Sequence, residues 1–495
     1  MSPSAESPQD STPVRSTPAG STPGAARALV IENVSLLGES LAHIVVQDGK
    51  IKLVRVADAA QGSDSAHSSD SAHSSDSAHS SDSAQGSADA LRADEVPEGA
   101  ARIDGTGLIA LPGLVDLHTH LREPGREDAE TIESGSRSAA RGGFAAIFAM
   151  ANTTPTADTA GVVEQVWSRG QEVGLVDVYP VGAVTVGLGG EQLSEMGAMA
   201  MSRARVRVFS DDGKCVHDPV VMRRALEYVK TFDGVVAQHA QDPRLTEGSQ
   251  MHEGVVSAEL GLTGWPAVAE ESIIARDVLL AKHVNSRVHI CHVSTAGSVN
   301  ILRWAKAEGI NVTAEVMPHH LLLTDESVRG YDPRFKVNPP LRTQEDVDAV
   351  RAGLADGTID IVATDHAPHP DEDKDCEWGA AAMGMIGLET ALGIVQKTMV
   401  DTGLMSWADV AHRMSQLPAR IGRVEATHGL PLSQGEPANI TLVDPRAAWT
   451  VDPNATSSRS NNSPFGGIVL PGRAVATFLR GKPTYLDSRF EGSFA

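Results

Sequence analysis

The chain has 495 residues, of which 41% are apolar and 4% aromatic, and its 64 acidic against 41 basic side chains give a formal charge of -23. That is the balance of a soluble globular protein with enough chain for a sizeable core, and the charge argues against nucleic acid or anionic membrane as partners. Three scattered cysteines, Cys215, Cys291 and Cys376, exclude a disulfide framework and a paired Cys-x-x-Cys zinc knuckle, and point to a reducing cytoplasm.

Residues 1–26 repeat Ser-Thr-Pro and are expected to form a disordered tail; they lack the basic and apolar pattern of a secretory signal. No apolar stretch in the sequence is long enough for a membrane span. RALVIENVSLL and HIVVQDGKIKLVRV then alternate as strands do, with Asp48-Gly49 marking a hairpin, so 27–57 is assigned to a small β domain. Residues 58–100 form a low-complexity insertion in which SDSAHS occurs three times from Ser63, followed by the variant SDSAQG. Having no Val, Leu, Ile or aromatic residue, the repeats have nothing to bury and read as a solvated loop, and His67, His73 and His79 read as polar insertion rather than ligands. A return strand at 101–112 and the β-rich stretch 426–485 (ANITLVD, AAWTVD, GRAVATFLRGKPTYL) complete the expected β-sandwich domain formed from both chain ends, with 486–495 a tail.

Between them, 113–425 alternates apolar strands with helical patterns such as AEESIIARDVLLAKHVN. The strand candidates are LPGLVDLHTHL, FAAIFAMAN, VDVYPVGAVT, ARVRVFSDD, GVVAQHA, RVHICHVS, NVTAEVMPHH and DIVATDHAPH. Most are one βα unit apart, which predicts an α/β fold with a (β/α)8 TIM-like barrel; a doubly wound open sheet is the alternative, because periodicity does not report closure.

These strands start apolar and end polar: His118 and His120, Asn152, Asp211 and Asp212, His239, His292, His319 and His320, and Asp365. In a parallel barrel such ends share one rim. His118 and His120, two apart on a strand, project to one face and can reach one cation, and Arg122 continues that face. With His239, His292, Asp212 and Asp365 there are ligands for two metal ions, and imidazole-rich donors without a cysteine pair suit catalytic Zn2+. The matching chemistry is metal-assisted hydrolysis of an amide or its reversal, with Asp365 placed to pass a proton to the leaving nitrogen.

PGLVDLHTHLREPG closely resembles the amidohydrolase superfamily. With FSDDG at 209–213, HVSTAGSV at 292–299, TAEVMPHHL at 313–321, VNPPLR at 337–342 and ATDHAPH at 363–369, the chain is similar to the bacterial class I dihydroorotases from about Arg27 to Gly481. The resemblance implies a zinc barrel flanked by a small β domain, with two Zn2+ per subunit. His118, His120 and Asp365 would hold one ion and His239 and His292 the other. An aspartate bridges them, Asp212 by position, with Asp211 the fallback because strand phase does not choose between neighbours. Lys214 reads as a solvated loop residue, and His319, His320 and His366 as scaffold. Arg122 and Asn152, with His369 and Asn338, would bind the substrate carboxylate.

The implied reaction is the reversible cyclisation of N-carbamoyl-L-aspartate to (S)-dihydroorotate and water in pyrimidine biosynthesis. The resemblance admits a homodimer and a complex with aspartate transcarbamoylase. The chain reads Met150-Ala151-Asn152 where the family usually has Met-Pro-Asn, and Pro370 to Met385 lacks the family's Pro-Phe-Gly element. The rival readings are a hydantoinase, dihydropyrimidinase or allantoinase, which share barrel and metals, and a catalytically silent scaffold, which predicts missing ligands.

Overall fold

The structure is a computed structural model that describes residues 28–57 and 90–494. The Ser-Thr-Pro tail and the SDSAHS repeats, with His67, His73 and His79, lie outside the described residues. The fold is α/β. Each of the eight apolar segments contains a strand: Leu114–Thr119, Phe144–Ala149 and Asp177–Pro180 pair in parallel in that order, and Val208–Phe209, Val235–Gln238, Val288–Ile290, Val312–Val316 and Ile361–Val362 form a second parallel sheet. Two isolated parallel bridges, Gly182 with Phe209 and Thr119 with His366, link the edges of these sheets. Gly182 N donates to Val208 O at 3.1 Å and His120 N to His366 O at 2.8 Å.

Parallel strands covered on both faces need apolar residues at every position, which is why they read as unbroken apolar runs; every residue of Leu114–Thr119 and Phe144–Ala149 is buried. Helices follow most of these strands and start on local caps. Thr131 and Ser134 close a capping box on Ile132–Arg141, Asp218 accepts from Val220 N and Val221 N on Pro219–Val229, and Thr343 and Asp346 close another on Gln344–Asp356. On Ala160–Val173, Gly170 permits close packing on the sheet, since a Cβ there would lie 2.5 Å from Val178 Cβ.

The remaining strands form one eight-stranded mixed sheet: Ala28–Leu36, Ser40–Gln47, Lys50–Val56, Ala101–Asp104, Ile109–Pro112, Ile440–Thr450, Val469–Leu479 and Lys482–Leu486. Ile109–Pro112 is the joint, parallel to Ala28–Leu36 on one side and antiparallel to Ile440–Thr450 on the other. The hairpin turn at Asp48-Gly49 has φ of 52° and 80°, the left-handed pair that matches strand twist. Leu29, Ile31, Ile44, Ile103, Leu442 and Phe478 pack a core separate from that of the parallel strands. The segment leading into Ile440 also meets the far edge strand, where Gly435 N donates to Ile51 O at 2.8 Å and Ala438 N to Gly49 O at 2.9 Å.

This sheet docks beside the starts of the parallel strands. Thr441 Oγ1 donates to Gly143 O at 2.6 Å, and His428 Nε2 and the Arg480 guanidinium reach Asp177 at 2.8 and 2.7 Å. The opposite strand ends are left for the polar residues. No helix among the described residues is long and apolar enough to cross a membrane.

Candidate active site

Six side chains from five strand ends converge. His118 Nε2 lies 3.3 Å from Asp212 Oδ1 and 3.5 Å from Asp365 Oδ1, while His120 Nε2 lies 3.3 Å from Asp212 Oδ2 and 2.9 Å from Asp365 Oδ1. On the other side of Asp212, His239 Nδ1 and His292 Nε2 approach Oδ1 at 3.2 and 3.3 Å and each other at 2.8 Å. All six are buried. Asp211 faces elsewhere: its carboxylate accepts from Val184 N at 2.8 Å, Thr185 N at 3.0 Å and the Thr185 hydroxyl. Of the two adjacent aspartates, only Asp212 is among the imidazoles.

Three residues of the site have strained backbone. Arg122, His292 and Asp365 have φ of 60°, 35° and 44°, a left-handed region that side chains with a Cβ enter at a cost, so surrounding contacts must hold them there. For Asp365 one such contact is Asp116, which accepts from Thr364 N at 2.9 Å, Thr364 Oγ1 at 2.6 Å and Thr119 Oγ1 at 2.7 Å, tying the strand of His118 to the turn that presents Asp365.

The electrostatics ask for positive charge at the centre. Burial pulls the His118 pKa down, but Asp212, Asp365 and Glu315 outweigh it and hold it well above the usual imidazole range. Burial pushes Asp212 up, yet His118, His120 and His239 hold it well below the usual carboxylate range. His118 Nε2 is buried and has no hydrogen-bond partner among the described residues. An orphaned imidazole nitrogen aimed at carboxylates, and two groups of three donors that share Asp212 (with His118 and His120, and with His239 and His292), fit divalent metal.

Two supporting residues escape the sequence reading. Glu315 Oε1 accepts from His118 Nδ1 at 2.6 Å, and its Oε2 lies 3.1 Å from His289 Nε2, whose Nδ1 is 2.9 Å from Thr313 Oγ1. This turns the Nε2 of His118 toward the cluster. Its signal was present, a single acid inside the apolar strand Val312–Val316, because a buried carboxylate requires a partner. Gln241 Oε1 accepts from His239 Nε2 at 2.7 Å and from Asn338 Nδ2 at 3.0 Å, leaving Nδ1 of His239 to face Asp212.

The four expected substrate-binding residues line the edge. Arg122 donates through Nε to Pro368 O at 3.1 Å and carries an Nη 3.4 Å from His369 Nε2. Burial pulls its guanidinium down to about 10 against Asp365 and Asp212, so it stays charged at neutral pH. Burial, Arg122 and Lys374 push His369 down to about 3, so that imidazole is neutral. Asn152 Oδ1 is 2.9 Å from His120 Nδ1 despite the alanine that precedes it, and Asn338 keeps a buried Oδ1 without a hydrogen-bond partner among the described residues.

Of the residues read as scaffold or loop, His320 Nε2 lies 3.2 Å from Pro339 O, burial pushes His319 down to about 4 and leaves its Nε2 without a hydrogen-bond partner among the described residues, His366 Nε2 is 3.2 Å from Glu130, and Lys214 is exposed.

Comparison with known proteins agrees. Residues 107–298 match the family described as Dihydro-orotase-like. The chain is 71% identical to a dihydroorotase of Streptomyces coelicolor over 79% of its own length and 91% of that protein, and 59% identical to one of Mycobacterium tuberculosis over 80% and 91%. Among solved structures it resembles the L-hydantoinase (dihydropyrimidinase) of Arthrobacter aurescens, with a TM-score of 0.76 and 24% identity over 93% of this chain and 96% of that one.

Fold, buried donor cluster and relatives together define a cyclic amidohydrolase of the amidohydrolase superfamily, an enzyme acting on a small molecule. Within that class the chain belongs to the dihydroorotase family.

Proposed function

We propose that the chain catalyses the reversible interconversion of N-carbamoyl-L-aspartate with (S)-dihydroorotate and water, ring closure being the direction of pyrimidine biosynthesis. The observation that carries this reading is a cation-demanding cluster with the charged Arg122 and neutral His369 at its edge, a combination suited to an anionic cyclic amide. His118, His120 and Asp365 would hold one zinc ion, His239 and His292 a second, and Asp212 would bridge them. Two Zn2+ per subunit, when bound, supply Lewis-acid polarisation of the ring amide and activation of water.

The chain's own residues do the rest. Arg122 presents its fork to the substrate carboxylate, and two parallel N–H bonds fix the ring's orientation. His369 and Asn152 flank that carboxylate. Asn338 Oδ1, without a hydrogen-bond partner among the described residues, accepts a hydrogen bond from a ring N–H, so Asn338 serves the ring in place of the carboxylate, its Nδ2 being held by Gln241. Asp365 takes a proton during hydrolysis and returns it to the departing ring nitrogen, the reverse holding for closure. Glu315 and Gln241 keep His118 and His239 turned inward.

The two parallel sheets and their linking bridges are read as one closed (β/α)8 barrel over 113–425, and 27–57, 101–112 and 426–485 as a β-sandwich domain. The three free cysteines suit a cytoplasmic enzyme.

The test is turnover of dihydroorotate and of N-carbamoyl-L-aspartate by protein of measured zinc content, alone and with an aspartate transcarbamoylase, against dihydrouracil, hydantoin and allantoin. Preference for dihydroorotate is expected. Turnover of hydantoin or dihydrouracil without dihydroorotate would overturn the substrate assignment.

A further inference from the structure

The segment from Pro370 to Met385, which lacks the family's Pro-Phe-Gly element, is knitted around two buried lysines. Lys374 and Lys336 are 6% and 3% exposed, and neither pairs with a carboxylate among the described residues. The three N–H donors of Lys374 match three carbonyls: Ala382 O at 2.8 Å, Gly384 O at 2.9 Å and Lys336 O at 3.2 Å. Lys336 donates to Trp378 O at 2.6 Å and Gly379 O at 3.3 Å, with its ammonium 5.8 Å from the Trp378 ring centre. Two neighbouring acids are already engaged, Asp373 by Arg126 at 2.8 Å and Asp332 by Arg334.

This arrangement ends at the substrate edge. Met383 O lies 3.0 Å from His369 Nε2, Gly384 N donates to Lys336 O at 2.9 Å, and Ala367 N donates to Met385 O at 2.9 Å. Gly384 is packed so closely that a Cβ would meet Ala367 Cβ and His369 Nε2 at 2.8 Å. Lys336 in turn lies two residues before Asn338. Two of the carbonyls that Lys374 gathers, those of Ala382 and Gly384, flank Met383, whose carbonyl His369 contacts. An ammonium in a site of this kind also leaves unneutralised positive charge behind the wall that faces an anion.

We infer that Lys374 is a positioning residue whose ammonium holds the 382–384 backbone against Lys336 and so fixes His369 beside Arg122 for capture of the substrate carboxylate. This rests on the dihydroorotate reading above. Lys374 acts through the wall and touches no reacting atom, so its loss changes KM rather than kcat. Burial and Lys336 push its ammonium down to about 7. The other charged or titratable groups around it are Asp332, Cys376, Asp373 and His369. Deprotonation removes one of the three N–H donors and the charge, so KM for dihydroorotate rises with pH above neutrality.

The experiment is steady-state hydrolysis of dihydroorotate by zinc-loaded wild-type and Lys374→Met proteins from about pH 6 to about pH 9, with circular dichroism and metal analysis on each sample. Turnover by the wild type checks the functional reading on its own. The expected result is a wild-type KM that climbs through neutrality, and a Lys374→Met variant with normal zinc, nearly normal kcat and a KM raised about tenfold and flat with pH. A folded, zinc-loaded variant with wild-type KM overturns the inference. Should the variant not fold, the wild-type profile decides, and a KM constant across the range overturns it equally.

Discussion

The Glu315 carboxylate sits 2.6 Å from His118 Nδ1, so the imidazole presents Nε2 to Asp212 and Asp365 by virtue of a residue nearly 200 positions away in sequence. A carboxylate behind a metal-binding histidine fixes its tautomer and raises its basicity. Glu315→Gln is expected to weaken metal affinity about 10–100-fold, read by chelator competition, with little change in secondary structure. Unchanged affinity would remove this role from Glu315.

The proposed mechanism gives chemistry to Asp365 and capture to Arg122, and two substitutions test that division. Asp365→Ala should lower kcat by about 10²–10⁴-fold in a protein that still melts cooperatively. Arg122→Lys keeps the charge but loses the fork, and should raise KM about tenfold with a smaller effect on kcat. Wild-type kinetics in either variant refutes that residue's assignment.

Acid should act on the joint between the two sheet systems. Burial pushes the Asp177 carboxyl up, but hydrogen bonds from His428 and Arg480 outweigh this and bring it from 3.8 to about 2. Because the folded value lies below the unfolded one, the contribution is full well above 3.8 and is lost as pH falls from there toward 2. It amounts to about 2 kcal/mol. Asp177→Asn should therefore lower stability by about that amount at pH 7 and by progressively less toward pH 2, measured by urea unfolding. A pH-independent difference would show that the charge is not responsible.

Deleting residues 61–88 should leave kcat/KM within about twofold of the parent. The flanks of that stretch are already held together, since Arg55 donates to Ala90 O at 3.1 Å and pairs with Glu95. Loss of activity in a folded deletion protein would assign the SDSAHS repeats a catalytic part.

The parallel strands were legible because burial on both faces leaves an unbroken apolar run that stops where the chain reaches the rim. His118 and His120 were legible because alternation puts both on one face. The choice between Asp211 and Asp212 was not, because the strand ends at Phe209 and both residues lie past it, beyond the reach of strand phase. Glu315 hid because its partners come from other strands. Lys374 hid for the opposite reason: PDEDKD reads as a solvated run, and only the folded backbone brings three carbonyls around that ammonium.

The strand Ile109–Pro112 has Val443 opposite Ile109, a neighbour more than 300 residues further along the chain. During synthesis its edge stays bare until Ile440–Thr450 has left the ribosome, so a nascent chain stalled before that point exposes an open template for association with other chains. A late frameshift would thus be far more damaging than the few dozen lost residues imply, since it leaves Ile109–Pro112, midway along the sheet, without the antiparallel neighbour that covers its edge.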